Sequence, residues 1–231
     1  MSYLWQEFNI KTFNAETLVF HDGVFCPELS DYESVEYKEN NNFISVKKTP
    51  KLPIHIIYVG EIAGNIDLNI DINIVDTNII MTFKTICKKP AFLNIFIKNT
   101  GKNSVFDGKI IIKNYSDLKI NVIGQNLCEK TGIFIKTKIA AYKNSKNYMQ
   151  GTAKIEKNTP NCDSDISFSC LADEKSIINM KPIQYIKSVP NNASHSASLY
   201  KPNKNQIYYL KTSGLSDNEI NTVLEEAFLE E

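Results

Sequence analysis

The chain has 231 residues and a mass of 26.2 kDa, enough for one large domain or for a domain with appendages. Its 26 basic residues balance 26 acidic ones, so no global field draws it toward nucleic acid or an anionic membrane surface, and neither partner is expected. Every basic residue is lysine, so the chain offers only point charges where a guanidinium would clamp a carboxylate or phosphate.

The first fifteen residues, with Trp5, Glu7 and Lys11, carry no continuous apolar core and no small-residue cleavage site. No stretch reaches membrane-spanning length, and a soluble cytoplasmic protein is expected. Residues 1–50 read as a short N-terminal lead-in, with a strand at Leu18-Val-Phe20, a turn at His21-Asp-Gly23 and a polar loop at Asn40-Asn-Asn42.

Residues 51–202 read as an all-β body. Period-2 alternation runs through Ile54–Val59, Ile66–Ile74, Ile79–Phe83, Leu93–Ile97, Lys109–Lys113, Leu118–Ile123, Ile133–Ile139 and Thr152–Ile155. β-Branched residues on one face with polar residues on the other predict strands, broken at Gly, Asn, Asp and Lys clusters. Sandwich, barrel and solenoid all remain open on this pattern, although the scarcity of two-residue hairpin signals favours a solenoid. Ile95-Phe-Ile-Lys98, Ile110-Ile-Ile-Lys113 and Ile133-Phe-Ile-Lys136 recur without a strict period, and asparagines at repeated corners are expected to stack in ladders. Asp67, Asp71 and Asp76 alternate with apolar residues and read as a solvated strand face.

Residues 203–231 form a C-terminal helical segment. Ser216 is the expected N-cap and Glu219 the N3 residue of a capping box. Ile220, Val223, Leu224, Ala227 and Phe228 then make one apolar stripe, with Glu225, Glu226, Glu230 and Glu231 on the wet side. That stripe must bury against the β-body or dock a partner.

Five cysteines (Cys26, Cys87, Cys128, Cys162, Cys170) are scattered without a C-x-x-C pair or zinc spacing, so buried inert thiols are expected. His21, His55 and His195 show no metal-ligand spacing, and no phosphate loop or nucleophile elbow occurs. His195 lies in the small polar run Asn191-Asn-Ala-Ser-His-Ser-Ala, where a neutral imidazole is reachable as a ligand or proton relay.

Gly151-Thr-Ala-Lys-Ile, Lys181-Pro-Ile-Gln-Tyr-Ile, Ala193-Ser-His195-Ser-Ala, Gln206-Ile-Tyr-Tyr-Leu and Ser213-Gly-Leu-Ser-Asp-Asn-Glu219, in that order and spacing, resemble the SufB/SufD family of iron–sulfur cluster assembly scaffolds. Residues 18–30 resemble the leader of its SufD-type members. The resemblance implies a right-handed parallel β-helix core and a nascent iron–sulfur cluster at a subunit interface, with no cofactor held tightly by the isolated chain. It implies pairing with a SufB-type subunit and a C-terminal region docking the SufC-type ATPase through Ile220, Val223, Leu224 and Phe228. It assigns His195 as a candidate iron ligand. SufB-type members follow this histidine with glutamate, whereas Ser196 stands here, which looks SufD-like. Cys162-Asp-Ser164 looks like a SufB-type Cys-Asp-Ser motif, but counted back from Pro182 the expected cysteine position falls near Ser167. Lys211 and Ser213 stand where relatives commonly have arginines. The chain is then a scaffold subunit and not an enzyme; the alternatives are a homodimeric SufB-type scaffold and, more distantly, a polysaccharide-active β-helix enzyme, which needs carboxylates gathered along one groove.

Overall fold

The computed structural model describes residues 14–40 and 42–230. The expectations for Met1 to Phe13, Asn41 and Glu231 lie outside the described residues. The fold is mostly strands, and the strands form two columns. One contains β1 (Glu16–His21), the first halves of β5 (Ile54–Ile72) and β6 (Asn78–Asn99), then β7 (Val105–Asn114), β9 (Gly132–Ala141), β11 (Asp163–Ala172) and β13 (Asn192–Tyr200). The other contains β4 (Phe43–Val46), the second halves of β5 and β6, then β8 (Leu118–Asn126), β10 (Lys146–Ile155) and β12 (Ile177–Ile186). Within each column neighbours are parallel, and the chain passes from one column to the other and back. The result is a parallel β-solenoid, as the resemblance implied.

Two pairs of expected strands, 54–59 with 66–74 and 79–83 with 93–97, are single bent strands. The lead-in is part of the same body: β1 and β4 pair in parallel with β5 and build the first coil. The repeat is more regular than the sequence suggested. Ile95 stacks on Val122, Ile110 on Thr137, and Ile133 on Phe106, so the three look-alike tetrapeptides occupy different places in the coil. The true period is read from side chains that touch. Asn94 donates to Asp67 at 2.9 Å and Asn121 to Asn94 at 3.2 Å, each step 27 residues. This is the expected asparagine ladder, placed on an outer sheet face instead of a corner, and Asp67 is its terminal acceptor.

A second ladder does sit at a corner. Asp76, Asn103, Lys130 and Asn161 adopt φ of 55°, 58°, 57° and 59°, and each is followed by a small hydroxyl or thiol residue: Thr77, Ser104, Thr131, Cys162. Asn and Asp enter the left-handed region at low cost, which explains three of the four positions; Lys130 bears more strain. The same geometry puts Asp76 in a turn and not on the strand face expected for it.

Apolar residues of both columns point inward and form one continuous core, from Leu18 through Ile56, Met81, Phe83, Ile95 and Ile120 to Phe168. The two ends of that core differ. At the N-terminal end β2 (Val24–Phe25) and β3 (Val35–Lys38) turn back antiparallel, and Phe25 and Tyr37 pack on Phe20 at ring separations of 5.4 Å. That end is closed. At the C-terminal end β12 bonds only to β10 and β13 only to β11 among the described residues, so both final strands present a free edge.

Helices α1 (Lys204–Thr212) and α2 (Asp217–Glu230) follow. Ser216 and Glu219 form the expected capping box: the Ser216 amide donates to Glu219 Oε2 at 2.8 Å, and hydrogen bonds from Ser216 hold the Glu219 carboxyl below its usual range. The facing of α2 is rotated from the expected stripe. Ile220, Glu225 and Leu229 are buried, Leu224 and Phe228 are half-buried, and Val223 and Ala227 are exposed. Glu225 is therefore not on the wet side: it pairs with Lys113 of β7, while Lys138 of β9 donates to the Phe228 carbonyl at 2.9 Å. Leu229 packs with Ile111, Ala140 and Leu171 of the first column.

His55, 2% exposed on β5, contacts the Thr82 hydroxyl at 2.9 Å. Burial pushes its pKa down to about 4. A histidine depressed in the folded state stabilises it above the unfolded value near 6.5, and that contribution is lost as pH falls toward 4. Acidification across this window is expected to cost about 3 kcal/mol, and Gln at position 55 should remove most of that dependence. Urea unfolding at pH 6.5 and pH 4 for wild type and His55→Gln measures it; equal slopes in the two proteins would refute it.

Candidate functional site

His195 lies in the middle of β13. The small polar run around it is a strand, which sequence reading missed because Ser and Ala carry little strand signal. Parallel register places His195 over Ile166, and below it continue Ile135, Gly108, Met81, Ile56 and Leu18. Its side chain thus belongs to the row that points into the solenoid, yet it is exposed because no further coil covers it. Ala193, Ala197 and Leu199 share its face, and the matching inward row of β12 is Ile178, Met180, Pro182 and Gln184. Together these residues line an open mouth, ringed by the exposed Ile177, Tyr185, Ile186 and Leu199.

Ser196 points to the opposite face of β13 from the imidazole, in register with Ser167 of β11. The position where the resemblance places a cysteine is therefore next to Ser196 on the outer face, and both are hydroxyls.

Cys162 does not join this mouth. It is fully buried in the corner ladder, its Sγ 3.3 Å from Thr131 Oγ1 and donating to the Cys128 carbonyl at 3.0 Å. It stands four residues before Ile166, about 13 Å along the strand from the level of the imidazole. Its thiol occupies the slot filled by hydroxyls at Thr77, Ser104 and Thr131. Cys162→Ser is accordingly expected to cost under about 1 kcal/mol in thermal unfolding and to leave cluster yield unchanged. A folded Cys162→Ser protein with reduced iron and sulfide content would give this thiol a functional role.

The other buried thiols are inert. Burial raises Cys170 to about 12 and Cys87 to about 11, far from the thiolate form at neutral pH. Among the described residues no three His, Cys, Asp or Glu side chains gather as a metal-binding group.

Two outer grooves bear on the carbohydrate reading. One of about 340 Å³ on the second column is lined by Phe92, Lys119, Tyr148 and Lys181 among others, with no carboxylate. The other, about 320 Å³ near the first coil, gathers Glu16, Asp31 and Glu33 with Lys48 and Lys51. Glu16 is committed to structure there: it accepts from the Glu33 amide at 2.9 Å, the Ser34 amide at 2.7 Å and the Ser34 hydroxyl at 2.6 Å. Burial acts to raise its carboxyl, but these bonds outweigh it and hold the group below its usual range. Glu33 pairs with Lys48 at 3.2 Å. Neither groove offers a paired acid and base.

The helical hairpin carries a second exposed feature. Tyr208 and Tyr209 of α1 and Val223 of α2 stand in solvent, while Ile220, Leu224 and Phe228 turn toward the chain's own body. No described helix is long and apolar enough to cross a membrane.

A family model described as the SUF system FeS cluster assembly, SufBD core domain, matches residues 82–228, from β6 to α2. Comparison with curated proteins gives no match.

Proposed function

The chain belongs to the SufBD core family of the SUF system for iron–sulfur cluster assembly, and on that premise we propose that it is a SufD-like scaffold subunit that catalyses nothing alone. The observation that carries the reading is the open mouth. Two free strand edges, exposed apolar side chains and an imidazole aimed outward over the core make a surface that a second subunit can extend by strand pairing. A SufB-type subunit paired there covers the mouth and supplies the remaining ligands of a nascent cluster, because one histidine cannot hold iron by itself. His195 is this chain's contribution as an iron ligand, and the cluster is cargo passed on to other proteins.

The α1–α2 hairpin is the proposed dock for a SufC-type ATPase. Val223, Tyr208 and Tyr209 offer the contact, and Ile220, Leu224 and Phe228 fix the hairpin to the solenoid so that motion of the motor reaches the sheet. Ser196 in place of a carboxylate favours the SufD-like role over the homodimeric SufB-type scaffold.

The test is co-purification with SufB-type and SufC-type partners, comparing His195→Ala with wild type. The substitution should leave the complex assembled and lower its iron and sulfide content at least about tenfold, the effect of losing one metal-binding side chain. Unchanged iron and sulfide would remove the imidazole from the mechanism. A self-paired chain that holds an oxygen-sensitive cluster without any partner would replace the SufD-like role by the homodimeric one.

A further inference from the structure

The row of β12 that faces the mouth ends unusually. Gln184 stacks on Ala153, Gly124, Ile97 and Ile70, an unbroken apolar or small series until the final coil. The row beneath His195 behaves the same way. Two separate inward rows thus turn polar only where the solenoid opens.

The two polar groups are neighbours. Gly151 faces Ile166 and Phe168 of the following coil so closely that a Cβ would strike them, and Gly124 faces Ile133 likewise. Coils stack in register, so one coil further on Pro182 takes the place of Gly151, and His195 and Ala197 take the places of Ile166 and Phe168. Gln184, two residues along from Pro182, lies opposite Ala193 by the relation that joins Gly124 to Ile133. Amide and imidazole are therefore diagonal neighbours across the mouth.

Gln184 Nε2 is buried and has no hydrogen-bond partner in this structure. A buried N–H donor left unpaired destabilises the free chain, and such a group calls for a reason. Nothing in the packing of β12 supplies one, since an apolar residue would continue the row.

Resting on the reading of the mouth as the place where the cluster is held, we infer that Gln184 is a second cargo-binding group, donating a hydrogen bond from its side-chain amide to an anionic sulfur of the cluster ligated by His195. The imidazole binds iron as a neutral nitrogen donor, whereas sulfide and thiolate are acceptors that gain from an N–H donor in a water-poor seam. Gln184 has the right polarity for the second task, and its donor becomes satisfied only when the site is loaded.

The test uses Gln184→Met, which keeps the length of the side chain and removes the donor. In the isolated chain its midpoint of thermal unfolding should equal or exceed that of wild type, because an unsatisfied donor has been removed. In the complex with SufB-type and SufC-type partners, loaded with ferrous iron and sulfide, the variant should lose its cluster about tenfold faster, the effect of one hydrogen bond to a charged acceptor. A lower unfolding midpoint in the free chain assigns Gln184 to structure and overturns the inference. Unchanged cluster lifetime, with His195→Ala still deficient, overturns it and leaves the site reading standing. Normal lifetime in both variants removes the site reading and this inference together.

Discussion

An aspartate at Leu199 is expected to leave the isolated chain folded and to weaken its pairing with a second subunit by at least about 100-fold. Leu199 ends the inward row above Cys170 and is 48% exposed at the mouth, so the free chain gives up little when it becomes polar. Pairing across the mouth buries that position. A carboxylate then has to leave water without a cationic partner or take up a proton, and a penalty of about 3 kcal/mol already amounts to that factor. Sedimentation of the chain alone and with a SufB-type subunit measures pairing, and the circular dichroism of the isolated variant checks its fold. Val24→Asp is the control: Val24 is 66% exposed at the closed end, where pairing is not expected, and the change should have no effect. Unaltered association of Leu199→Asp, or equal loss in the two variants, would place the subunit interface elsewhere.

Truncation of Phe168 to alanine is expected to cost about 4 kcal/mol and to lower the unfolding midpoint by roughly 10 °C. Phe168 is fully buried in β11 and fills the space left by Gly151 on the facing strand of the preceding coil. Removing the ring leaves a void between two coils of a rigid stack, which cannot close without breaking the ladder of parallel pairing. β11 also carries β13, so the loss should reach the mouth and reduce cluster content at temperatures where the chain remains folded. Enlarging Gly151 to leucine in the Phe168→Ala background refills the void and should recover part of the stability, whereas Gly151→Leu alone overpacks the same site. Calorimetry on the three variants tests the pairing, and strictly additive losses would show that the two residues do not share a space.

The site was only partly legible in the sequence. His195 stood out through the segments that resemble the family, but its setting in a strand did not, because Asn191-Asn-Ala-Ser-His-Ser-Ala has few β-branched residues. The alternation Ala193, His195, Ala197, Leu199 was the available signal, and it becomes meaningful only beside the row beneath it in β11, where Ser164, Ile166, Phe168 and Cys170 keep the same phase. Gln184 was invisible for a different reason. Its significance rests on the apolar residues beneath it, which lie 31 or more residues away in the chain, and on an unpaired donor that only packing reveals. Cys162 shows the converse: the local motif Cys-Asp-Ser attracted a functional reading, and the corner ladder of Thr77, Ser104 and Thr131 explains the same residue as a hydroxyl surrogate.

The stripe of α2 makes a similar point about charge. Helical periodicity located Ile220, Leu224 and Phe228 on the buried side, yet Glu225 also lies inward because Lys113 awaits it, and burial together with that carboxylate raises the Tyr142 hydroxyl. Hydrophobicity alone assigns every glutamate to solvent; a buried countercharge is a fact of the facing sheet.

Local chemistry was enough to fix the strands, the capping box at Ser216 and the β character of the body, since each follows from neighbours a few residues apart. The closed and open ends, the stacking period and the meeting of imidazole and amide arise from contacts between coils 25 to 33 residues apart. Such contacts depend on how many residues each corner consumes, and corner lengths leave no trace in the alternation of the strands they join. Only the stacked structure decides which side chains end up at the mouth.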